Sequence, residues 1–338
     1  MVSSELKQKV IQQIQGALAL QLAFIGVANN LFSTLATKKK LTSSGLAKAS
    51  GMDAAYVERW CDSAYAFELL DADGDRFELT ELGSAFLPSA EGTLMPFAVN
   101  TVLSAHIATR ASELAHTGER PGESVLAERA PILPWFGPML EGMFAPMFEQ
   151  QVLPGLSVFN EIDKRGGTVV DLGCGNGWYL RALTRRFKNI RTVGLDGFEE
   201  NINQARSRSK AEGSADRMTF QAGDIFAFSV DEPVDVIVMN RALHHVWNRK
   251  EDVFKKFADS LTAGGTVLIW EPAWPADRRQ LRNPAYRAMS FQNLGEHVQG
   301  NHFLQPDEIQ KEFSRVSMKS DVMLFMEGNE AVVSAVKS

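Results

Sequence analysis

Hydrophobic positions change their spacing along the chain, and each change predicts a different kind of structure. Up to about residue 40 the apolar residues recur at helical intervals and predict two helices, with Leu, Ala and Phe crowded between Gly16 and Phe32. Lys38, Lys39 and Lys40 close this region, as suits the negative end of a helix dipole. Thr42 to Gly51 reads as a short capped helix ended by glycine. A longer helix is expected from about Asp53 to Leu70, with Val57, Trp60, Ala64, Phe67 and Leu70 on one face. Asp71 to Asp75 then makes a turn, and Arg76 to Thr80 a short strand. Helix, turn, helix and hairpin is the winged-helix pattern.

The second change comes near residue 93, where a helical, irregular stretch rich in Pro, Met and Phe begins. Beyond Thr168 short apolar runs alternate with amphipathic ones. Strands are predicted at Thr168–Leu172, Arg191–Leu195, Met218–Gln221, Val234–Met239, Thr266–Trp270, Val316–Leu324 and Ala331–Val336. Helices between most of them predict an α/β, Rossmann-like seven-stranded sheet closed by an antiparallel hairpin. The expected organisation is a winged-helix domain over 1–92, a helical connector or active-site roof over 93–160, and a cofactor-binding domain over 161–338. A length of 338 residues suits such a multidomain chain.

Composition narrows the function. Lys and Arg number 35 against 41 Asp and Glu, a net charge of -6, which disfavours long nucleic acids. The helix that would enter a DNA groove carries Asp53, Glu58, Asp62 and Glu68 against Arg59 alone, and the wing tip is acidic. That region is expected to serve dimerisation or to roof an active site. Two cysteines, Cys61 and Cys174, make no disulfide framework and point to a reducing compartment. Gln21 interrupts the most apolar run, and no uninterrupted run reaches bilayer length, so a cytoplasmic protein without membrane contact is expected.

Candidate chemistry centres on Val169-Val170-Asp171-Leu172-Gly173-Cys174-Gly175-Asn176-Gly177, a strand feeding a glycine turn and then a helix. Such turns let a ligand approach the backbone closely. A dinucleotide fits poorly, because Trp178 stands where the third glycine is wanted and Asp171 would face a pyrophosphate with like charge. S-adenosylmethionine carries an ammonium and a sulfonium and no phosphate, so an acid suits it. Asp196, followed by Gly197 and Phe198, ends the second strand where a carboxylate can accept from both ribose hydroxyls. After the third strand Gly223 and Asp224 can meet the adenine amino group, with Ile225 or Phe226 beside the ring.

With these residues in place the sequence resembles the class I S-adenosylmethionine-dependent methyltransferases. It is most similar to small-molecule O-methyltransferases that carry an N-terminal winged-helix dimerisation domain. The resemblance covers nearly the whole chain and includes Ala242-Leu243-His244-His245-Val246-Trp247 and Leu261-Thr262-Ala263-Gly264-Gly265. It implies S-adenosylmethionine as cofactor, S-adenosylhomocysteine as product, a homodimer and a small acceptor. It also places Asn240 and Arg241 beside the cofactor and makes His244 either the general base or a residue that orders its loop. Here His245 replaces the acid of the related L-H-D-W stretch. Transfer to N or C, a relative using the cofactor for other chemistry, and a DNA-binding regulator remain alternatives. Residues expected around the acceptor are His245, Trp247, Glu271, Tyr286 and the Met139, Met143 and Met147 stripe, which can equally be core. No metal site is expected, since adjacent histidines diverge on an extended backbone.

Overall fold

The computed structural model describes residues 1–128 and 132–338, together with every side chain there except those of 127 and 133. The chain divides into two compact units, one of residues 1–109 and 126–143, the other of residues 110–125 and 144–338. The segment expected as a connector is shared between them.

In the N-terminal unit α1 (Ser4–Ala28), α2 (Leu31–Lys38), α3 (Ser43–Ser50) and α4 (Ala54–Ala66) are followed by a small hairpin. The break at Asn29 and Asn30 leaves the apolar run inside the first helix. Strands β1 (Leu41–Thr42), β2 (Leu70–Asp73) and β3 (Arg76–Leu79) pair in the order β1-β3-β2. Asp53 caps α4 by accepting from the Tyr56 amide at 3.1 Å. The helix was expected to reach Leu70 but stops at Ala66, because Glu68 turns left-handed at φ 59° and Leu70 starts a strand. Trp60 anchors the core: its indole donates to the Leu22 carbonyl at 3.2 Å, and its ring meets Phe32 edge-on.

α1 corrects the expectation that no segment suits a membrane. The helix is long and apolar enough to cross one, although only 17% of its most apolar window is buried. Glutamines interrupt the run of apolar letters, yet an 18-residue window of the helix keeps a mean hydropathy of 1.5.

The larger unit holds β4 (Thr168–Leu172), β5 (Arg191–Asp196), β6 (Met218–Ala222), β7 (Val234–Asn240), β8 (Leu261–Pro272), β9 (Met318–Phe325) and β10 (Glu330–Lys337). Their order is β6-β5-β4-β7-β8-β10-β9, parallel except for β10, which runs antiparallel to both neighbours. Strands buried on both faces read as the apolar runs seen in the sequence; Val169, Val170, Val236, Ile237 and Val238 are all fully buried. Order reverses at β4, so β4, β5 and β7 end at a topological switch point, the place where open α/β sheets bind ligands.

Candidate functional site

At the tip of β4 the backbone is tied down before any side chain acts. The amides of Gly173 and Cys174 both donate to the Leu195 carbonyl, at 2.8 and 2.9 Å. Gly177 sits at φ 74°, and a Cβ there would lie 2.8 Å from the Phe220 ring, so conformation and packing both demand glycine. Asp171 is 1% exposed and meets the Asn240 amide at 3.4 Å. Burial and then the nearby Asp196 charge push its pKa well above the usual carboxylate range, against the weaker pull of Asn240. A cationic ligand relieves that repulsion.

Asp196 stands where the sequence puts it, at the end of β5. One carboxylate oxygen accepts from the Gly175 amide at 2.8 Å, and the other from the Phe198 amide and the Asn201 side chain, each at 3.0 Å. Asp196 thus joins the glycine loop to the next loop. Asn176 is buried against the Trp178 amide, Gly197 leaves open space around its α-carbon, and the Phe198 ring is exposed. Cys174 is buried at the loop, where burial and then Asp171 and Asp196 raise its thiol pKa and keep it unreactive. After β6, Gly223 donates to the Asp196 carbonyl at 2.9 Å, and Asp224 caps the short turn Ile225–Ala227 through the Phe226 amide at 2.8 Å. The Arg249 guanidinium lies 3.7 Å over the Phe226 ring.

The second group of side chains lies past β7 and β8. Glu271, 1% exposed at the end of β8, accepts from the amides of Leu243 and His244 at 2.7 and 3.3 Å. Its other oxygen meets Nδ1 of His244 at 2.6 Å. Nε2 of His244 is buried without a hydrogen-bond partner, 3.5 Å from a Glu296 oxygen on the helix Arg287–Val298. Burial alone would lower the His244 pKa, but the charge and hydrogen bond of Glu271, then Glu296, raise it to about 10. His245 lies half-buried, with Nδ1 3.0 Å from Glu123 and 2.9 Å from the Asn301 amide. That contact with His245 holds the Glu123 carboxyl below its ordinary range, against burial.

Several expected site residues have other work. The expectation that adjacent histidines diverge is corrected: 243–249 forms a 3-10 helix, so the two rings lie 4.2 Å apart and tilted by 35°. Arg241 was expected at the cofactor, yet its Nη1 donates to both oxygens of Glu330 at 2.8 and 2.9 Å and its plane covers Phe144. Trp247 packs on Phe254 within the sheet core, because its turn of 3-10 helix points it there. Met139 is 3% exposed in the core of the N-terminal unit, and Met143 packs against that core. Met147 is half-buried in the larger unit, so the stripe is divided rather than shared. Tyr286 packs with Met289 and Phe303. Glu123, Glu296, Asn301 and Glu330 were missed, because no motif links them to His244.

Residues 169–265 match the family described as a methyltransferase domain. Residues 169–265 form a methyltransferase domain. Among curated proteins the chain is similar to trans-aconitate 2-methyltransferase of Streptomyces avermitilis, 28% identical over 38% of this chain and 45% of that protein. It is also similar to carboxy-S-adenosyl-L-methionine synthase of Wolinella succinogenes, 33% identical over 35% of this chain and 49% of that one. The chain therefore spans about half the length of these relatives. Among solved structures, human N-acetylserotonin methyltransferase in complex with SAM superposes with a TM-score of 0.74 at 18% identity, covering 100% of both chains. An O-methyltransferase family protein from Burkholderia thailandensis gives 0.72 at 19% identity, over 100% of this chain and 99% of that one. The methyltransferase domain thus sits in a chain with the α/β fold of class I S-adenosylmethionine-dependent methyltransferases.

Proposed function

We propose that this chain transfers a methyl group from S-adenosylmethionine to a small, fairly apolar metabolite, at oxygen in the first instance. The observation that carries the reading is the pair of buried acids at adjacent strand ends, Asp171 and Asp196, around a glycine turn. The sulfonium is already an activated donor, so the protein must mainly align an acceptor and remove its proton. Asp196 would take the ribose hydroxyls, Asp224 the adenine amino group, and Asp171 the positive end of the cofactor.

His244 is the group we assign to the acceptor proton. Nδ1 is committed to Glu271, so only Nε2 can receive it, and only in the neutral form of the ring. With the pKa raised to about 10 that form is the minor one at neutral pH, so transfer should quicken as pH rises toward 10. Glu271 is a positioning residue in this reading. His245 and Glu296 would line the acceptor side. Labelled-methyl transfer across a panel of phenols, amines and acids tests the function, and calorimetry tests the cofactor. Tighter binding of a nicotinamide dinucleotide than of S-adenosylhomocysteine would overturn it.

We further infer a homodimer built on the N-terminal unit, in the cytoplasm. Ile11, Ile14, Leu18 and Ile25 of α1 are 43–53% exposed and repeat at intervals of three, four and seven, the spacing of a helix-packing seam. Two buried free thiols suit a reducing compartment. Light scattering should give twice the chain mass at micromolar protein, and Leu18→Glu should give the monomer. A wild-type monomer would leave the seam to some other use.

A further inference from the structure

The surroundings of His244 hold more than a general base requires. One ligand atom from each of His244, His245 and Glu296 lies within 4.8 Å of the other two. We propose that these three residues bind one divalent first-row transition-metal ion at the acceptor side of the methyltransferase domain.

Three features carry this. Nε2 of His244 is buried and makes no hydrogen bond, with the Glu296 carboxylate 3.5 Å away, and a desolvated ring nitrogen gains from a closer partner. Each histidine also has a carboxylate on its Nδ1, Glu271 at 2.6 Å for His244 and Glu123 at 3.0 Å for His245. A carboxylate there holds the proton on Nδ1 and turns the lone pair of Nε2 outward, as around histidines that ligate metals. Asn301 is compatible with this, since its amide can present oxygen to the same Nδ1–H. The third feature is charge: Glu123, Glu271 and Glu296 surround two imidazoles, a set that gains from a cation.

The donor set selects the ion. Two imidazole nitrogens and one carboxylate suit Fe2+, Mn2+, Co2+, Ni2+ or Zn2+ and leave coordination positions open. Mg2+ and Ca2+ prefer oxygen throughout. The ligands come from two elements, the 3-10 turn after β7 and the helix Arg287–Val298, so binding would also fix that helix against the sheet.

The use of the ion rests on the methyl-transfer reading. An acceptor hydroxyl on an open position would become more acidic and release its proton to solvent. The acceptor then attacks the methyl carbon, and the electron pair of the breaking S–CH3 bond stays on sulfur to give S-adenosylhomocysteine. No electron is gained or lost by the ion. With the ion bound His244 is a ligand, and the base role assigned to it above applies to the ion-free protein.

The test titrates chelator-treated protein with Zn2+ and Mn2+ by calorimetry, with Mg2+ as the oxygen-preferring control. One equivalent of transition ion should bind, and Mg2+ should bind about 100-fold more weakly or not at all. His245→Ala and Glu296→Gln should each weaken Zn2+ at least about 10-fold, and Glu271→Gln about 10–100-fold. Thermal melting and S-adenosylhomocysteine affinity of each variant report whether it has folded. Absence of Zn2+ and Mn2+ binding to wild type, or Zn2+ binding unchanged in folded His245→Ala and Glu296→Gln, overturns the site. Cofactor binding without ion binding sinks the ion alone; ion binding without cofactor binding sinks the methyl-transfer reading and leaves the ion.

Discussion

The two halves of the candidate site are built in different ways. On the cofactor side the scaffold is backbone: amides of Gly173, Cys174, Gly175 and Phe198 converge on Leu195 and Asp196 within 26 residues of chain. On the acceptor side it is side chains, with His244, Glu271, Glu296 and Glu123 drawn from four separate segments. A backbone cradle tolerates change in most side chains but not in its glycines and acids. A side-chain cluster can be rewritten one residue at a time, which is how one fold can serve many acceptors.

If the halves are independent, damage to one should spare the other. The largest expected effect is on turnover: His244→Ala should lower it roughly 10²–10⁴-fold while S-adenosylhomocysteine binds as before. A parallel loss of cofactor affinity would join the halves and break the comparison. His244→Gln should be nearly as poor, since an amide neither takes up a full proton nor matches an imidazole as a metal ligand. Recovery of most activity in that variant would reduce His244 to a loop-ordering residue.

Next in size, Asp196→Ala should weaken adenosine-containing ligands by about 1–3 kcal/mol, with transfer at saturating cofactor nearly unchanged. Unaltered affinity by calorimetry would show that Asp196 serves only its own loop. Gly177→Ala should destabilise by roughly 1–3 kcal/mol, because an alanine at φ 74° is strained and its Cβ meets Phe220. A melting temperature equal to wild type would show that Phe220 gives way.

The smallest effect concerns pH. In the free protein Asp171 holds its proton to higher pH than an ordinary carboxyl. A cationic ligand favours the ionised form, so binding releases a proton and affinity falls as pH drops through the raised pKa. Asp171→Asn should flatten that profile. A wild-type affinity independent of pH would detach Asp171 from the cofactor.

The sequence was legible to the extent that each feature was local. Strands β4 and β7 could be placed because both faces are buried along nearly their whole length, and the edge strand β6 because buried Met218 and Phe220 alternate with exposed Thr219 and Gln221. Asp171, Gly175 and Asp196 could be picked out because one turn and one strand length fix their spacing. Leu70 was misread because a helical face and a strand both welcome leucine, and the left-handed turn at Glu68 leaves no mark in periodicity. Trp247 and Arg241 were placed near ligands by proximity in sequence, whereas a 3-10 turn and a distant Glu330 direct them elsewhere. Glu296 and Glu123 were invisible for the same reason: ordinary acids gain meaning only when the fold carries them to His244.

The position of β10 has a consequence for the order in which the protein can be made. Among the described residues β9 pairs only with β10, and Arg241 finds its ion-pair partner Glu330 89 residues later. On the ribosome the cradle around Asp171 and Asp196 can close while the C-terminus is still unsynthesised. The Arg241 latch beyond β7 must wait for the last strand to slide between β8 and β9, whereas Glu271 of β8 can already hold the amides of Leu243 and His244. A chain cut short before Glu330 would emerge with its cofactor end shaped and Arg241 without its ion-pair partner.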